Sequence, residues 1–333
     1  MNQFKTNYMD IFKERKQYRP FEYDEITTPF VNAMWASHWS HNEFNFTSDV
    51  QDYLTELDSQ EREVIKKSAL LISQIEVAVK TFWGKIGDTL PKPEIADMGA
   101  VFGGVEVIHS RAYSKILEVL NLNDEFEKLF EEKTVVNRVE YLSKYNEKVY
   151  KDDRKSFLYS LILFTLFTEA TSLFSQFYIL LGFNRFRGIM KDISNIVQYT
   201  AKEENLHMEG GIALINTIIK ENPELNDKEF KDRIYEETLV ALDAEEGLID
   251  WLLGDYENEF LSADILKKYV KFRLNMCLEK IGFNKPFKIY QEDLDKFLWM
   301  EEEILAPALT DFFNKRPIDY SKASRSFSED ELF

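Results

Sequence analysis

Residues 156–183 read SFLYSLILFTLFTEATSLFSQFYILLGF, an apolar run with a single acid, Glu169, at its middle. The run is long and apolar enough to cross a bilayer. A carboxylate at the bilayer centre costs about 3 kcal/mol on insertion scales, and such a residue usually faces protein instead. A helix that is apolar on all sides is expected at the centre of a helical bundle. A buried carboxylate is costly unless it is paired or coordinated, so Glu169 requires partners elsewhere in the chain.

Those partners are legible. Glu76 lies in the apolar stretch 69–79 (ALLISQIEVAV) and carries the same implication. Of only four histidines, two stand three residues after a glutamate: Glu106-Val-Ile-His109 and Glu204-Asn-Leu-His207. At that spacing the carboxylate and the imidazole share one helical face. One coincidence of this kind is unremarkable, but two among four histidines are hard to assign to chance. The order is Glu76, Glu106 with His109, Glu169, then Glu204 with His207. It matches the ferritin-like dimetal arrangement, in which two helices give Glu-x-x-His and two give a single inward Glu. Six carboxylate and imidazole donors suit iron or manganese, which change oxidation state, whereas zinc does not. Tyr113, four residues beyond His109, falls on the same face and sets an oxidisable phenol beside the site. Lys80, four residues beyond Glu76, could reach its edge.

Apolar residues recur at helical spacing nearly everywhere and no alternating strand pattern appears, so the fold class is all-α. Gly and Pro punctuate the chain into expected helices at 55–86, 94–121, 124–147, 153–181, 187–219, 226–253, 261–281 and 290–314. Breaks are expected at 84–93, 182–188, 222–223 and 282–286. The reading is one bundle domain over 1–313 and a flexible tail over 314–333, where apolar periodicity stops and the chain closes on acidic residues and Leu332-Phe333.

The net charge of -18 argues against nucleic acid as a partner, which needs a basic face. One cysteine, Cys277, excludes an internal disulfide, and the first residues lack a basic start followed by an apolar stretch, so the cytoplasm is the expected compartment, with no membrane association.

These residues resemble the radical-generating small (β) subunit of class I ribonucleotide reductase over nearly the whole chain. The most specific stretch is 106–114 (EVIHSRAYS), similar to that family's Glu-x-x-His-Ser-x-x-Tyr segment, with Tyr113 where many members carry a stable tyrosyl radical. Glu169 in its apolar helix and Glu203-Glu204-Asn-Leu-His207 resemble the second half of the ligand set. The resemblance implies a radical-transfer role for Trp39, for Glu203 as the link between metal-bound histidine and tryptophan, and for Tyr320 in the tail. It also implies a homodimer, and a C-terminal tail that docks on a large (α) subunit where ribonucleotides are reduced. Two departures bear on the metal. Most members have aspartate where this chain has Glu76, and usually aspartate where it has Glu203. Glu76, Lys80 and a retained Tyr113 together are most similar to subclass Id, in which a dimanganese centre is itself the oxidant. An iron pair with a Tyr113 radical and a mixed manganese and iron centre are the other loadings. Two other classes share the ligand pattern: a stand-alone dimetal oxidase or desaturase, which has no use for Tyr320 or the tail, and ferritin-like metal storage.

Overall fold

The computed structural model describes residues 10–13, 21–76, 80–146 and 153–305, and among them the regular structure is helical. Two short helices, α1 (Thr28–Ala36) and α2 (Thr47–Thr55), lead into α3 (Ser59–Ile75). The start of α3 is set by a reciprocal cap: Asp58 Oδ1 accepts from the amides of Gln60 and Glu61, and the Glu61 carboxylate accepts from the Asp58 amide. Then come α4 (Lys80–Gly84), α5 (Ile86–Thr89), the long α6 (Pro93–Val119, opened by proline at its first position), α7 (Asn123–Phe126) and α8 (Lys133–Asn146). The apolar run forms α9 (Arg154–Leu163), a π-helical segment (Phe164–Ser172) and α10 (Phe174–Arg187). The remainder is α11 (Lys191–Glu221), α12 (Lys228–Leu253), α13 (Ala263–Lys280) and α14 (Gln291–Leu305).

Four of these close a ring. Helix α3 packs on α6 and α10, and α11 packs on α6, α10 and the π segment. The remaining helices clothe this core: α8 and α13 lie against the π segment, α12 joins α8 to α13, α14 packs on α11 and α13, and α1 bridges α6 and α11. The membrane-length helix Arg154–Arg187 is thus the buried centre of the bundle, with nearly all of its most apolar stretch out of contact with solvent. That buried apolar surface is the main stabilising term.

Several expected boundaries are corrected. The single helix 55–86 is divided into the end of α2, α3, α4 and the start of α5. Helix α3 stops at Ile75 with Glu76 as its C-cap, although no Gly or Pro stands there. Beyond it, α4 and α5 pack closely on α6: at Gly99 a Cβ would come within 2.5 Å of the Trp83 carbonyl and 2.4 Å of Ile86, a notch that only glycine permits. The break expected at 182–188 shrinks to Gly188, whose φ of 70° ends α10, and Met190. Gly182 stays helical because Phe260 packs over it. Helix α11 begins four residues late, at Lys191, where Asp49 of α2 accepts from the amides of Asp192 (3.1 Å) and Ile193 (2.7 Å). The 124–147 helix is broken by a 3-10 turn, Glu127–Glu131. Helices α1 and α2 fall where the sequence pattern predicts none. Residues 306–314 of the expected last helix, and the tail 314–333 with Tyr320, lie outside the described residues.

Candidate metal centre

Helix α6 supplies Glu106 and His109, α11 supplies Glu204 and His207, α3 ends on Glu76, and the π segment supplies Glu169. All six side chains are buried, none more than 1% exposed. They form two overlapping donor groups. Glu76, Glu106, His109 and Glu204 bring donor atoms within 4.8 Å of one another, and so do Glu106, Glu169, Glu204 and His207. Glu106 and Glu204 belong to both. His109 Nδ1 lies 3.1 Å from Glu204 Oε1, 3.4 Å from Glu106 Oε2 and 3.9 Å from Glu76 Oε2. His207 Nδ1 lies 2.9 Å from Glu106 Oε1, 3.1 Å from Glu204 Oε2 and 3.6 Å from Glu169 Oε2. Each imidazole therefore presents its Nδ1 to the carboxylates.

The donor set fits a pair of cations. Among the described residues no well-aligned hydrogen-bond donor reaches either oxygen of Glu76 or of Glu106, Glu169 Oε2 or Glu204 Oε1, all of them buried. Uncompensated carboxylate oxygens in a dry core are costly, and convergent oxygen and nitrogen donors without hydrogen-bond partners are what a hard or borderline divalent ion requires. Without cations the cluster balances itself with protons. Burial pushes the Glu76 carboxyl well above the usual carboxylate range, an effect opposed by His109 and furthered by Glu106. Burial, with Glu204, does the same to Glu169. Burial works against charging His109, but the facing carboxylates of Glu106, Glu203, Glu204 and Glu76 carry it well above the ordinary imidazole range. His207 rises likewise through Glu106, Glu169 and Glu204 against its burial. Glu204 is buried too, yet its close approach to Glu169, His109 and His207 holds it below the usual range.

Around the six donors lie Glu203, Trp39 and Tyr113. Glu203 Oε2 lies 2.8 Å from His109 Nε2 and accepts from Trp39 Nε1 at 2.9 Å, while Glu203 Oε1 accepts from Ser37 Oγ at 3.2 Å. Trp39, three residues beyond α1, is 3% exposed and stacks on His109 (centroids 6.2 Å apart) and on Tyr199 (5.7 Å). Tyr199 is half-buried, so the stack leads from the cluster towards the protein surface. Tyr113 is fully buried, near Thr200, and burial, with Glu76, raises its phenol well above the ordinary range. The Lys80 side chain is outside the described residues.

Sequence reasoning missed Trp83. This fully buried indole on α4 donates from Nε1 to Glu169 Oε1 at 2.6 Å and packs on His207 (5.9 Å) and Phe102 (4.9 Å). The only available signal was a tryptophan seven residues after Glu76. The asymmetry between the histidines was also illegible: His109 Nε2 is engaged by Glu203, whereas His207 Nε2 is buried with no hydrogen-bond partner among the described residues.

Known proteins share this architecture. The chain is 26% identical over 333 residues to "Probable ribonucleoside-diphosphate reductase small subunit 048L" of Invertebrate iridescent virus 3, covering 94% of this chain and 86% of that protein. It is 24% identical over 309 residues to the ribonucleoside-diphosphate reductase subunit beta of Halalkalibacterium halodurans, covering 91% and 88%. The ribonucleotide reductase R2 subunit from Clostridium botulinum shares the fold with a TM-score of 0.78 at 18% identity, over 89% of this chain and 98% of that one. Dimanganese(II)-NrdF of Streptococcus sanguinis does so with a TM-score of 0.74 at 15% identity, over 88% and 100%. The family model for the small chain of ribonucleotide reductase matches residues 15–293, and the chain belongs to that family.

Proposed function

We propose that this chain is the β subunit of a class I ribonucleoside-diphosphate reductase, an oxidoreductase active only with its large subunit, in which Glu76, Glu106, His109, Glu169, Glu204 and His207 hold two metal ions. The observation that carries the reading is the pair of buried donor groups sharing Glu106 and Glu204, with carboxylate oxygens that no donor among the described residues satisfies. A pair of redox-active ions held by these residues would supply the oxidising equivalent that the large subunit needs to reduce ribonucleotides.

The chain's own residues do the rest. Glu76, Glu169 and the two imidazoles, whose affinity for protons is raised in the metal-free cluster, would release them as ions bind. Phe102, Phe164 and Trp83 keep water from the His207 side. Trp39 gives up an electron inward and is replenished from the direction of Tyr320, while Glu203 can hold the indole proton at Oε2, to which Trp39 Nε1 already donates. The stack of His109, Trp39 and Tyr199 keeps these rings in near-parallel contact.

Manganese at both positions, as in subclass Id, is the loading we favour. Glu76, one methylene longer than the aspartate common in the family, supports it. On this reading Tyr113 stores no radical. The tail 314–333 docks on the large subunit, the chain is a homodimer, and it works in the cytoplasm. Membership of the small-chain family favours this reading over a stand-alone oxidase or desaturase.

Electron paramagnetic resonance separates the loadings. Metal-free protein is reloaded with manganese alone and exposed to oxygen and superoxide, beside an iron-loaded sample. A multiline coupled-manganese signal with no sharp phenoxyl signal in either sample is expected. A phenoxyl signal in the iron sample that vanishes in Tyr113→Phe would make Tyr113 the radical store and remove the subclass assignment.

A further inference from the structure

Glu169 enters the cluster from a π-helical segment, and that segment has an unusual set of partners. In an α-helix each carbonyl accepts from the amide four residues on; in a π turn it accepts from the fifth. Where the ladder returns from five to four, two successive carbonyls face one amide, so a carbonyl is left over at the C-terminal end. In a dry core it must find another donor. Four carbonyls of this segment take side-chain donors. Leu166 O accepts from Thr171 Oγ1 (2.7 Å) and Thr168 O from Ser172 Oγ (2.9 Å). Ala170 O accepts from Arg273 Nε (2.9 Å), and Ser172 O from the Arg138 guanidinium.

Both arginines are fully buried. Arg273, on α13, also pairs with Glu301 of α14 at 3.1 Å and lies 3.7 Å over the Phe174 ring. Arg138, on α8, pairs with Glu245 of α12 at 3.0 Å. Burying a guanidinium is costly even when it is paired. Ties between outer helices need only the two carboxylate pairs. What those ties leave unexplained is that each guanidinium uses a further N–H on a π-segment carbonyl, one directly after Glu169 and one three residues after it. The planar fork of arginine suits such a division, with one edge on a carboxylate and another N–H on a separate acceptor.

We propose that Arg273 and Arg138 are positioning residues of the metal centre: they hold the C-terminal end of the π turn open and so fix where the Glu169 carboxylate enters the cluster. The proposal rests on the reading of that cluster as a dinuclear site. It has a selective consequence, because Glu169 belongs to only one of the two donor groups. A clamp on Glu169 acts on one ion and spares the other.

The test titrates manganese(II) alone into metal-free, full-length protein, following the free ion by its paramagnetic signal, with amide hydrogen exchange over 164–175 on the same samples. The unaltered chain is expected to take up two ions. Arg273→Lys keeps a charge for Glu301 but has no Nε–H for Ala170. It is expected to fold, bind the first ion as before, bind the second about tenfold or more weakly, and exchange the 164–175 amides faster. Unchanged binding of both ions, or parallel weakening of both, overturns the proposal. Should Arg273→Lys not fold, Arg138→Lys, which lacks the separate Nε and Nη2 donors that serve Glu245 and Ser172, is read by the same criteria. No manganese uptake by the unaltered chain removes the metal reading itself, and the exchange rates in Arg273→Lys then decide the clamp: unchanged rates overturn it.

Discussion

Trp39 and His109 meet on one oxygen atom: Glu203 Oε2 is 2.9 Å from the indole Nε1 and 2.8 Å from the imidazole Nε2. The same carboxylate therefore orients a cluster imidazole and holds the indole, with Ser37 fixing its other oxygen. Glutamate here, one methylene longer than aspartate, spans both partners from α11 without displacing the adjacent Glu204.

Glu203→Gln keeps the size of this link and removes its ability to take a proton. We expect manganese uptake close to that of the unaltered chain and turnover with the large subunit lower by about 10–100-fold. Metal content and turnover are measured on the same preparation. Loss of both in parallel would place Glu203 in metal binding alone.

Trp83→Phe removes the donor to Glu169 Oε1 while keeping most of the ring packing. A buried carboxylate oxygen left without its donor costs about 1–3 kcal/mol. Chemical denaturation of the metal-free variant should register that loss, and calorimetric titration should show weaker uptake of the ion that Glu169 would hold. A variant as stable as the parent would mean that Glu169 finds another partner.

Stability of the metal-free chain should fall as the solution is made alkaline. The His109 and His207 values are raised above 6.5, so their contribution is full below 6.5 and is lost as pH climbs through the raised values. Glu76 and Glu169, raised above 4.5, act in the same direction. Glu204, lowered from 4.5, acts oppositely, but its contribution is already complete above 4.5. Metal ions replace the protons, so the gap in melting temperature between manganese-loaded and metal-free protein should widen above pH 6.5. Thermal scans with and without manganese across that range check it, and a gap that narrows would contradict the proton balance described above.

Gly211, four residues after His207, lets α11 and the π segment meet: a Cβ there would lie 2.4 Å from Thr165 Oγ1 and 2.6 Å from its Cγ2. Gly211→Ala should destabilise the protein by about 1–3 kcal/mol through overpacking. Thr165→Ala removes both clashing atoms, so the double variant should recover most of the loss. Additive losses, read from denaturation midpoints, would show that the contact is not the cause.

Tyr320→Phe should leave metal oxidation intact and abolish turnover with the large subunit, because phenylalanine cannot pass on the oxidising equivalent. Rapid mixing resolves the first quantity and steady-state assay the second. Undiminished turnover would take Tyr320 off the route.

The sequence alone determined the all-helical class, the buried centre of the bundle and the six donors that cluster. These follow from local chemistry: a lone acid in an apolar run must be compensated, and Glu-x-x-His falls on one face of any helix. Only the tertiary structure decided the rest. The stop of α3 at Glu76 has no Gly or Pro to announce it, and the close seating of α4 on Gly99 of α6 is visible only in the fold. The π turn beneath Glu169 reads as ordinary helix in the sequence, since its extra residue per turn is settled by donors from Arg138 and Arg273, distant along the chain. Trp83 looked like one more core aromatic until the fold brought its N–H to a carboxylate from another helix. In each case the deciding energy is a contact between residues far apart in the chain, which periodicity and spacing do not encode.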